Sequence, residues 1–139
     1  MTERNKQTNK ALGSRFERDF AERLCRHGFW VHLLSQNQAG QPADLLAVKN
    51  GKAYLIDCKV CSDGKFPLSR MEENQDLAMS VWYGCGNGEG WFALLLVEDI
   101  YMIPHITMRE ARRDSQSLSE ADIRAEMPLS EWIREAMTS

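Results

Sequence analysis

Asp44, Asp57 and Lys59 are the residues whose types and spacing most directly suggest chemistry. The two aspartates stand on either side of Asn50-Gly51, which separates two apolar segments. Asn-Gly in this setting predicts a two-residue type I′ hairpin turn, because both central residues need a positive φ. Such a turn pairs each position before it with the position equally far after it. Asp44 is then expected directly opposite Asp57.

Residues directly opposite in an antiparallel pair point to the same face of the sheet, with Cβ atoms roughly 5 Å apart. Lys59, two residues beyond Asp57, returns to that face. Hard oxygen ligands placed together suit Mg²⁺, with Mn²⁺ as the alternative. A bound metal activates water for phosphodiester hydrolysis, and a nearby lysine orients that water or stabilises the developing charge. The other interpretation is a surface hairpin with solvated carboxylates and Lys59 relieving their repulsion.

The segments around the hairpin predict an α/β fold with a mixed central β-sheet flanked by helices. The first helix should end at Gly28 in a left-handed cap. A second helix should begin at a capping box formed by Ser69 and Glu72. The predicted elements are a helix over 10–27, strands over 29–34, 43–49 and 52–59, a helix over 69–83, and strands over 91–97 and 100–103.

Length and composition predict a single domain over residues 1–139, with 1–8 as a flexible arm and 106–139 as a helical C-terminal extension. A hydrophobic content of 43% and a charged content of 27% are ordinary for a globular protein. The longest apolar segment, over 91–97, is too short to span a bilayer, and the N-terminus has no apolar signal core. We therefore expect a cytoplasmic protein without membrane contact.

The net charge of −3 argues against a generally basic nucleic-acid binder, yet residues 1–28 carry an excess of three positive charges. Lys10, Arg15 and Arg18 recur in this segment and are predicted to contact DNA phosphates. A solvated helix face explains the same pattern equally well.

Four cysteines without a signal peptide are too few for a disulfide scaffold. Cys58 and Cys61 form one CxxC, but no second metal-binding pair accompanies it. Reduced, partly buried thiols are the favoured interpretation over a zinc site.

The segments around the hairpin resemble the PD-(D/E)xK nuclease superfamily, and their continuation is similar to RecU-type Holliday junction resolvases. The resemblance covers about residues 13–105 and implies a restriction-endonuclease-like core. The segments that carry it are Gly13-Ser14-Arg15-Phe16-Glu17, Gln41-Pro42-Ala43-Asp44, Ile56-Asp57-Cys58-Lys59, Lys65-Phe66-Pro67-Leu68-Ser69, Glu73-Asn74-Gln75, Trp91-Phe92-Ala93-Leu94-Leu95 and Ile100-Tyr101-Met102-Ile103-Pro104.

The resemblance implies that Asp44 and Asp57 are the main metal ligands, with the Cys58 carbonyl as a further one. Glu17 would act on the metal directly or through water; the other interpretation is a surface glutamate among arginines. Asp57 stands where RecU-type enzymes have Glu. The 26 residues between Glu17 and Asp44 leave no room for the stalk of those enzymes.

The resemblance also implies that Lys59 activates or positions the attacking water and that Gln75 orients the lysine or the water. An exposed polar residue is the other interpretation of Gln75. Lys65 and Arg70, which flank the Phe-Pro-Leu segment, are added to the predicted DNA contacts.

The expected function is that of a Mg²⁺-dependent, structure-selective DNA endonuclease that resolves four-way junctions in recombination or repair. The two-fold symmetry of a junction implies a homodimer. Trp82, Tyr83 and apolar residues of the last helix are candidates for its surface, and core packing is the other explanation for them. One alternative is a nicking or restriction-like nuclease on duplex or flap DNA. Another is a non-catalytic DNA-binding module.

Overall fold

In a computed structural model of the chain, the described residues are 3–34 and 42–138, with 3–9 described in backbone only. The predicted loop over 35–42 therefore lies, apart from Pro42, outside the described residues. The elements are α1 (Glu3–Arg26), β1 (Trp30–Leu33), β2 (Leu45–Lys49), β3 (Lys52–Cys61), β4 (Lys65–Pro67), a 3₁₀ turn (Leu68–Arg70), α2 (Glu73–Gly84), β5 (Trp91–Leu96), β6 (Asp99–Pro104), α3 (His105–Asp114), β7 (Ser117–Ser119), α4 (Glu120–Arg124), β8 (Met127–Pro128) and α5 (Leu129–Thr138).

Six strands form the central sheet in the order β1-β2-β3-β5-β6-β8. The pairing of β3 with β5 is parallel, and the other neighbouring strands are antiparallel. A separate two-stranded sheet joins β4 to β7. The predicted α/β fold with a mixed central sheet is thus confirmed.

The central sheet carries a hydrophobic core on each face. Successive residues of β3 alternate between them: Leu55 packs with residues of α2, α3 and α4, whereas Ile56 packs with residues of α1 and α5. Since side chains along a strand alternate with period two, Asp57 and Lys59 lie on the α2 side. Cys58, between them, packs on the α1 side.

Helix α1 begins at Glu3, so residues 3–8 belong to it and are not the loose arm that was predicted. It ends as predicted at Gly28, whose φ is 86°. The Phe29 amide donates to the Leu24 carbonyl at 3.1 Å, and both side chains are buried, which is the hydrophobic arrangement of a Schellman cap. None of the helices formed by the described residues is both long and apolar enough to cross a bilayer.

The hairpin between β2 and β3 has the predicted turn. Asn50 and Gly51 have φ values of 51° and 78°, as a type I′ turn requires. Lys49 pairs with Lys52, and the register continues unbroken to the pair of Leu45 and its partner in β3.

Helix α2 does not begin at the predicted capping box of Ser69 and Glu72. Met71 is extended, with φ −78° and ψ 101°, and it is almost fully buried. Because the Met71 side chain is packed in the core, the backbone cannot continue as a helix from the 3₁₀ turn, and α2 begins only at Glu73. The capping contact lies three residues later, where the Glu72 amide donates to Gln75 Oε1 at 3.1 Å.

The segment 106–139 was predicted as a helical extension, and its described part, 106–138, is helical only in part. It also contributes β7 to the small sheet and β8 to the edge of the central sheet. Its side chains complete both cores, with Leu118 and Ile123 on the α2 side and Trp132 and Ile133 on the α1 side.

Candidate active site

Asp44 lies where the β2–β3 ladder ends and ties the two strands together. Its amide donates to the Ile56 carbonyl at 3.1 Å, and its side-chain Oδ2 accepts the Cys58 amide at 2.7 Å. The carboxylate thus replaces a backbone acceptor of the ladder. This arrangement brings Asp44 next to Asp57 on the α2 side of the sheet, and both line one cleft.

Asp57 is a buried carboxylate, only 1% exposed. Burial raises its pKa well above the usual value, and the adjacent Asp44 carboxylate raises it further, while Lys59 opposes the shift. Lys59 Nζ lies 3.2 Å from Oδ2 but outside hydrogen-bond geometry, so this buried oxygen has no hydrogen-bond donor among the described residues. The charge of the nearby Lys59 ammonium offsets part of the desolvation of this buried oxygen.

Gln75 connects the start of α2 to Asp57. Its Oε1 accepts the Glu72 amide, and its Nε2 donates to Asp57 Oδ1 at 3.1 Å. The first contact fixes the orientation of the amide, because the group nearest Asp57 must then be the donor. Gln75 is buried, so it is not the exposed polar residue of the alternative interpretation.

Asp76 anchors α2 to α3 immediately beyond Gln75. Its carboxylate accepts from His105 Nε2 at 2.6 Å and from Arg112 at 2.7 Å. Burial acts to raise the pKa of Asp76, but hydrogen bonds and charge from His105, and then from Arg112, lower it below its usual value. No motif in the sequence indicates this anchor, since His105 lies 29 positions after Asp76 in the chain.

Glu17 lines the same cleft from α1 and is half-buried. Its charge is near enough to contribute to the raised pKa of the Cys58 thiol, after burial and the two aspartates. The described residues contain no group of three His, Cys, Asp or Glu side chains that could hold a metal. The structure therefore does not join Glu17 to Asp44 and Asp57 as a third direct ligand.

Cys58 and Cys61 lie on opposite faces of β3 and are both free thiols. Burial and the neighbouring carboxylates raise the pKa of Cys58 well above its usual value, which keeps the thiol protonated. Cys61 Sγ donates to the Lys65 carbonyl at 3.0 Å. The CxxC is therefore neither a zinc half-site nor a redox pair.

The cleft has a volume of about 760 Å³ and is lined by residues of α1, β3, the following loop and the start of α2. Lys65 and Arg70, two of the predicted DNA contacts, stand on its wall. Arg70 is held in place, since it donates to the Val60 carbonyl at 2.6 Å and lies over the Phe66 ring at 5.2 Å.

The other predicted DNA contacts lie outside this wall. Lys10, Arg15 and Arg18 are exposed on α1. Arg18 lines a separate cavity between α1 and β1.

The donor set fits a hard divalent cation. Two carboxylates converge, and one buried oxygen of Asp57 lacks a donor. Mg²⁺ takes one or two carboxylates, keeps several waters and accepts a substrate phosphate oxygen, so it does not need a third protein carboxylate. Asp44 and Asp57, with the Cys58 carbonyl, are the residues that would hold it.

Comparison with known proteins decides the family. The sequence profile of the archaeal Holliday junction resolvases (Hjc) matches residues 8–138. The chain belongs to this family. The family consists of metal-dependent, structure-selective DNA endonucleases of recombination, which confirms the predicted enzyme class.

Solved structures show the same fold. Hjc from Archaeoglobus fulgidus, a Holliday junction resolvase from an archaeal hyperthermophile, superposes with a TM-score of 0.67 at 20% identity. The match covers 87% of this chain and 99% of that one. No curated protein sequence matches the chain.

The Hjc family corrects one prediction. The resemblance to PD-(D/E)xK nucleases is confirmed, but the RecU-type assignment is off, and the archaeal resolvases take its place. The acidic-x-Lys strand and the helix after it had suggested RecU-type enzymes. The short interval between Glu17 and Asp44, with no room for a stalk, was a departure from the RecU-type pattern.

Asp57→Asn should raise the free energy of unfolding in metal-free buffer at pH 7. A carboxylate whose pKa is raised in the folded state destabilises that state at neutral pH, so removing the charge should gain about 1 kcal/mol or more. Urea unfolding in EDTA measures the change. Asp63→Asn, which removes an exposed carboxylate of the same cleft, should have little effect. A less stable Asp57→Asn variant would contradict this view of the site.

Proposed function

We propose that this chain resolves four-way DNA junctions by metal-assisted hydrolysis at Asp44, Asp57 and Lys59. One observation carries the proposal: Asp57 is buried beside a second carboxylate, and its Oδ2, which accepts no hydrogen bond among the described residues, lies 3.2 Å from the Lys59 ammonium. Packing alone does not favour this arrangement, since burying one carboxylate beside another carboxylate costs free energy. Family membership adds the branched DNA substrate.

Each residue of the site has its own proposed role in the hydrolysis. Asp44 and Asp57 would hold Mg²⁺ or Mn²⁺, which when bound activates water and neutralises charge on the phosphate. Lys59 is placed to donate to the attacking water or to a phosphate oxygen. Gln75 holds Asp57 Oδ1 through its Nε2. Glu17, on the cleft wall, would act through a water molecule.

DNA is the proposed partner, and its phosphates would meet two groups of cations. Lys65 and Arg70 stand at the cleft, where the cut strand would enter. Lys10, Arg15 and Arg18 on α1 would contact the flanking duplex. We also propose the cytoplasmic location that the sequence predicts, which agrees with DNA as the substrate.

We also propose a homodimer whose surface is the outer face of α2. Leu77 and Val81 lie one turn apart on this face and are 65% and 57% exposed, an unusual apolar content for a free helix face. Tyr83, which is 60% exposed, points to a different side of the helix. Trp82 is half-buried and packs against the α2-side core. Apolar residues of α5 such as Trp132 are buried in the other core, so packing accounts for them.

Leu77→Glu and Val81→Glu should dissociate the dimer, since each places a charge in an apolar contact. Sedimentation equilibrium measures the association. Met137→Glu, on the exposed part of α5, is the matched control and should stay dimeric. If Met137→Glu dissociated the dimer and the two α2 variants did not, the interface would lie on α5 and not on α2.

Cleavage of a synthetic four-way junction, compared with a linear duplex of the same arms, tests the activity. We expect Mg²⁺-dependent, symmetric cuts near the branch point. Asp57→Asn should cut at least about a thousandfold more slowly and still bind DNA, because the aspartate is needed for hydrolysis and not for DNA binding.

Each other outcome favours a specific alternative. Equal rates on junction and duplex would indicate a nicking or restriction-like nuclease. Binding without any cutting by the wild type would indicate a non-catalytic module. Undiminished cutting by Asp57→Asn would show that the catalytic site lies elsewhere.

A further inference from the structure

Trp30 and His32 form an exposed aromatic pair on β1. Their rings are stacked, with centroids 6.0 Å apart and planes inclined by 12°. Trp30 is 60% exposed, and neither side chain belongs to a core. As alternate residues of one strand, they present their rings on the same face of the sheet. The result is a preformed aromatic surface that the packing of the fold does not use.

This surface lies on the active-site face. β1 is the first strand of the sheet, and its residue Trp30 pairs with Val48 while His32 pairs with Leu46. Leu46 packs against the α2-side core, which is the side of Asp44 and Asp57. Because paired residues of an antiparallel ladder share a face, the two rings stand on that side too.

The distance to the site follows from the strand. The Leu34 amide donates to the Asp44 carbonyl at 2.9 Å, so the chain beyond β1 still runs beside Asp44. From this point Trp30 is four residues back along the strand, or about 13 Å. That length corresponds to about four stacked bases at 3.4 Å each.

The exposed rings are suited to unpaired bases. Base stacking on aromatic side chains is one of the contacts with which proteins hold single-stranded DNA. Lys49 is not part of this surface, since its Nζ lies 5.7 Å from the centre of the Phe29 ring and Phe29 packs in the α1-side core, on the other face of the sheet.

We propose that Trp30 and His32 are a stacking platform for unpaired bases at the branch point of the DNA that is cut at Asp44 and Asp57. The inference rests on the proposed function, because it takes the occupant to be the same substrate. Every base has a π-face, so the platform selects unpaired bases over a continuous duplex without reading their sequence. It thereby gives the site a means of preferring branched DNA.

Binding affinity tests the platform in the Asp57→Asn background, which separates binding from cutting. Fluorescence anisotropy at one fixed salt concentration compares a junction containing unpaired bases at its centre with a linear duplex. Trp30→Leu should weaken junction binding about tenfold while leaving duplex binding unchanged, because a base lost from an aromatic ring weakens binding about 5- to 150-fold. Trp30→Phe should keep most of the affinity.

Two further variants sharpen the test. His32→Ala should weaken junction binding in the same direction, and it keeps Trp30 in place. Leu33→Ala is the matched control, since Leu33 lies on the same strand, is 41% exposed and lines the cavity on the α1 side. It should bind junction and duplex as the parent does.

Several results would overturn the platform. Unchanged junction binding in both Trp30→Leu and His32→Ala would remove it. An equal loss on junction and duplex would show that the rings do not select unpaired bases. Dissociation of a dimer by Trp30→Leu would assign the surface to a second copy of the chain. If the wild type cuts junctions and Trp30→Leu binds them fully, the platform alone fails; if the wild type neither binds nor cuts, the proposed function fails.

Discussion

The site depends on holding two carboxylates together against their mutual repulsion. Like charges about 4 Å apart repel by about 4 kcal/mol at an effective dielectric constant of 20. The β2–β3 hairpin supplies the restraint, because its register is fixed by a two-residue turn and closed by the bond from the Cys58 amide to Asp44. Lys59 opposes the rise in the pKa of Asp57, but burial and then the Asp44 carboxylate outweigh it.

A second restraint sets the position of α2. Gln75 and Asp76 are consecutive, yet they act in opposite directions: Gln75 reaches Asp57, and Asp76 is bound by His105 and Arg112 of α3. The helix is thus fixed between the active site and its neighbour. A shift of its first residue would remove the donor from Asp57, so the packing of α3 contributes to the geometry of a site that it does not touch.

The predictions that succeeded were the local ones. Asn50-Gly51 determines its own turn, and the turn determines the register, so the meeting of Asp44 with its partner could be predicted without the rest of the chain. The predicted start of α2 was wrong because burial of Met71, a tertiary effect, overrides the local capping signal. β7 and β8 have three and two residues, too few for any periodicity to show. The place of Glu17 depends on how α1 docks on the sheet, which no local pattern encodes.

Divalent metal binding tests the central account most directly. Asp44→Asn keeps an oxygen for the Cys58 amide, so it removes the charge and not the tie between the strands. Mn²⁺ binding is measured by titration, with the free ion followed by electron paramagnetic resonance. The wild type and Asp63→Asn should bind Mn²⁺ with the same affinity, and the affinity of Asp44→Asn should be at least about tenfold weaker. Equal Mn²⁺ affinity in Asp44→Asn and the wild type would contradict the claim that the two aspartates hold the cation.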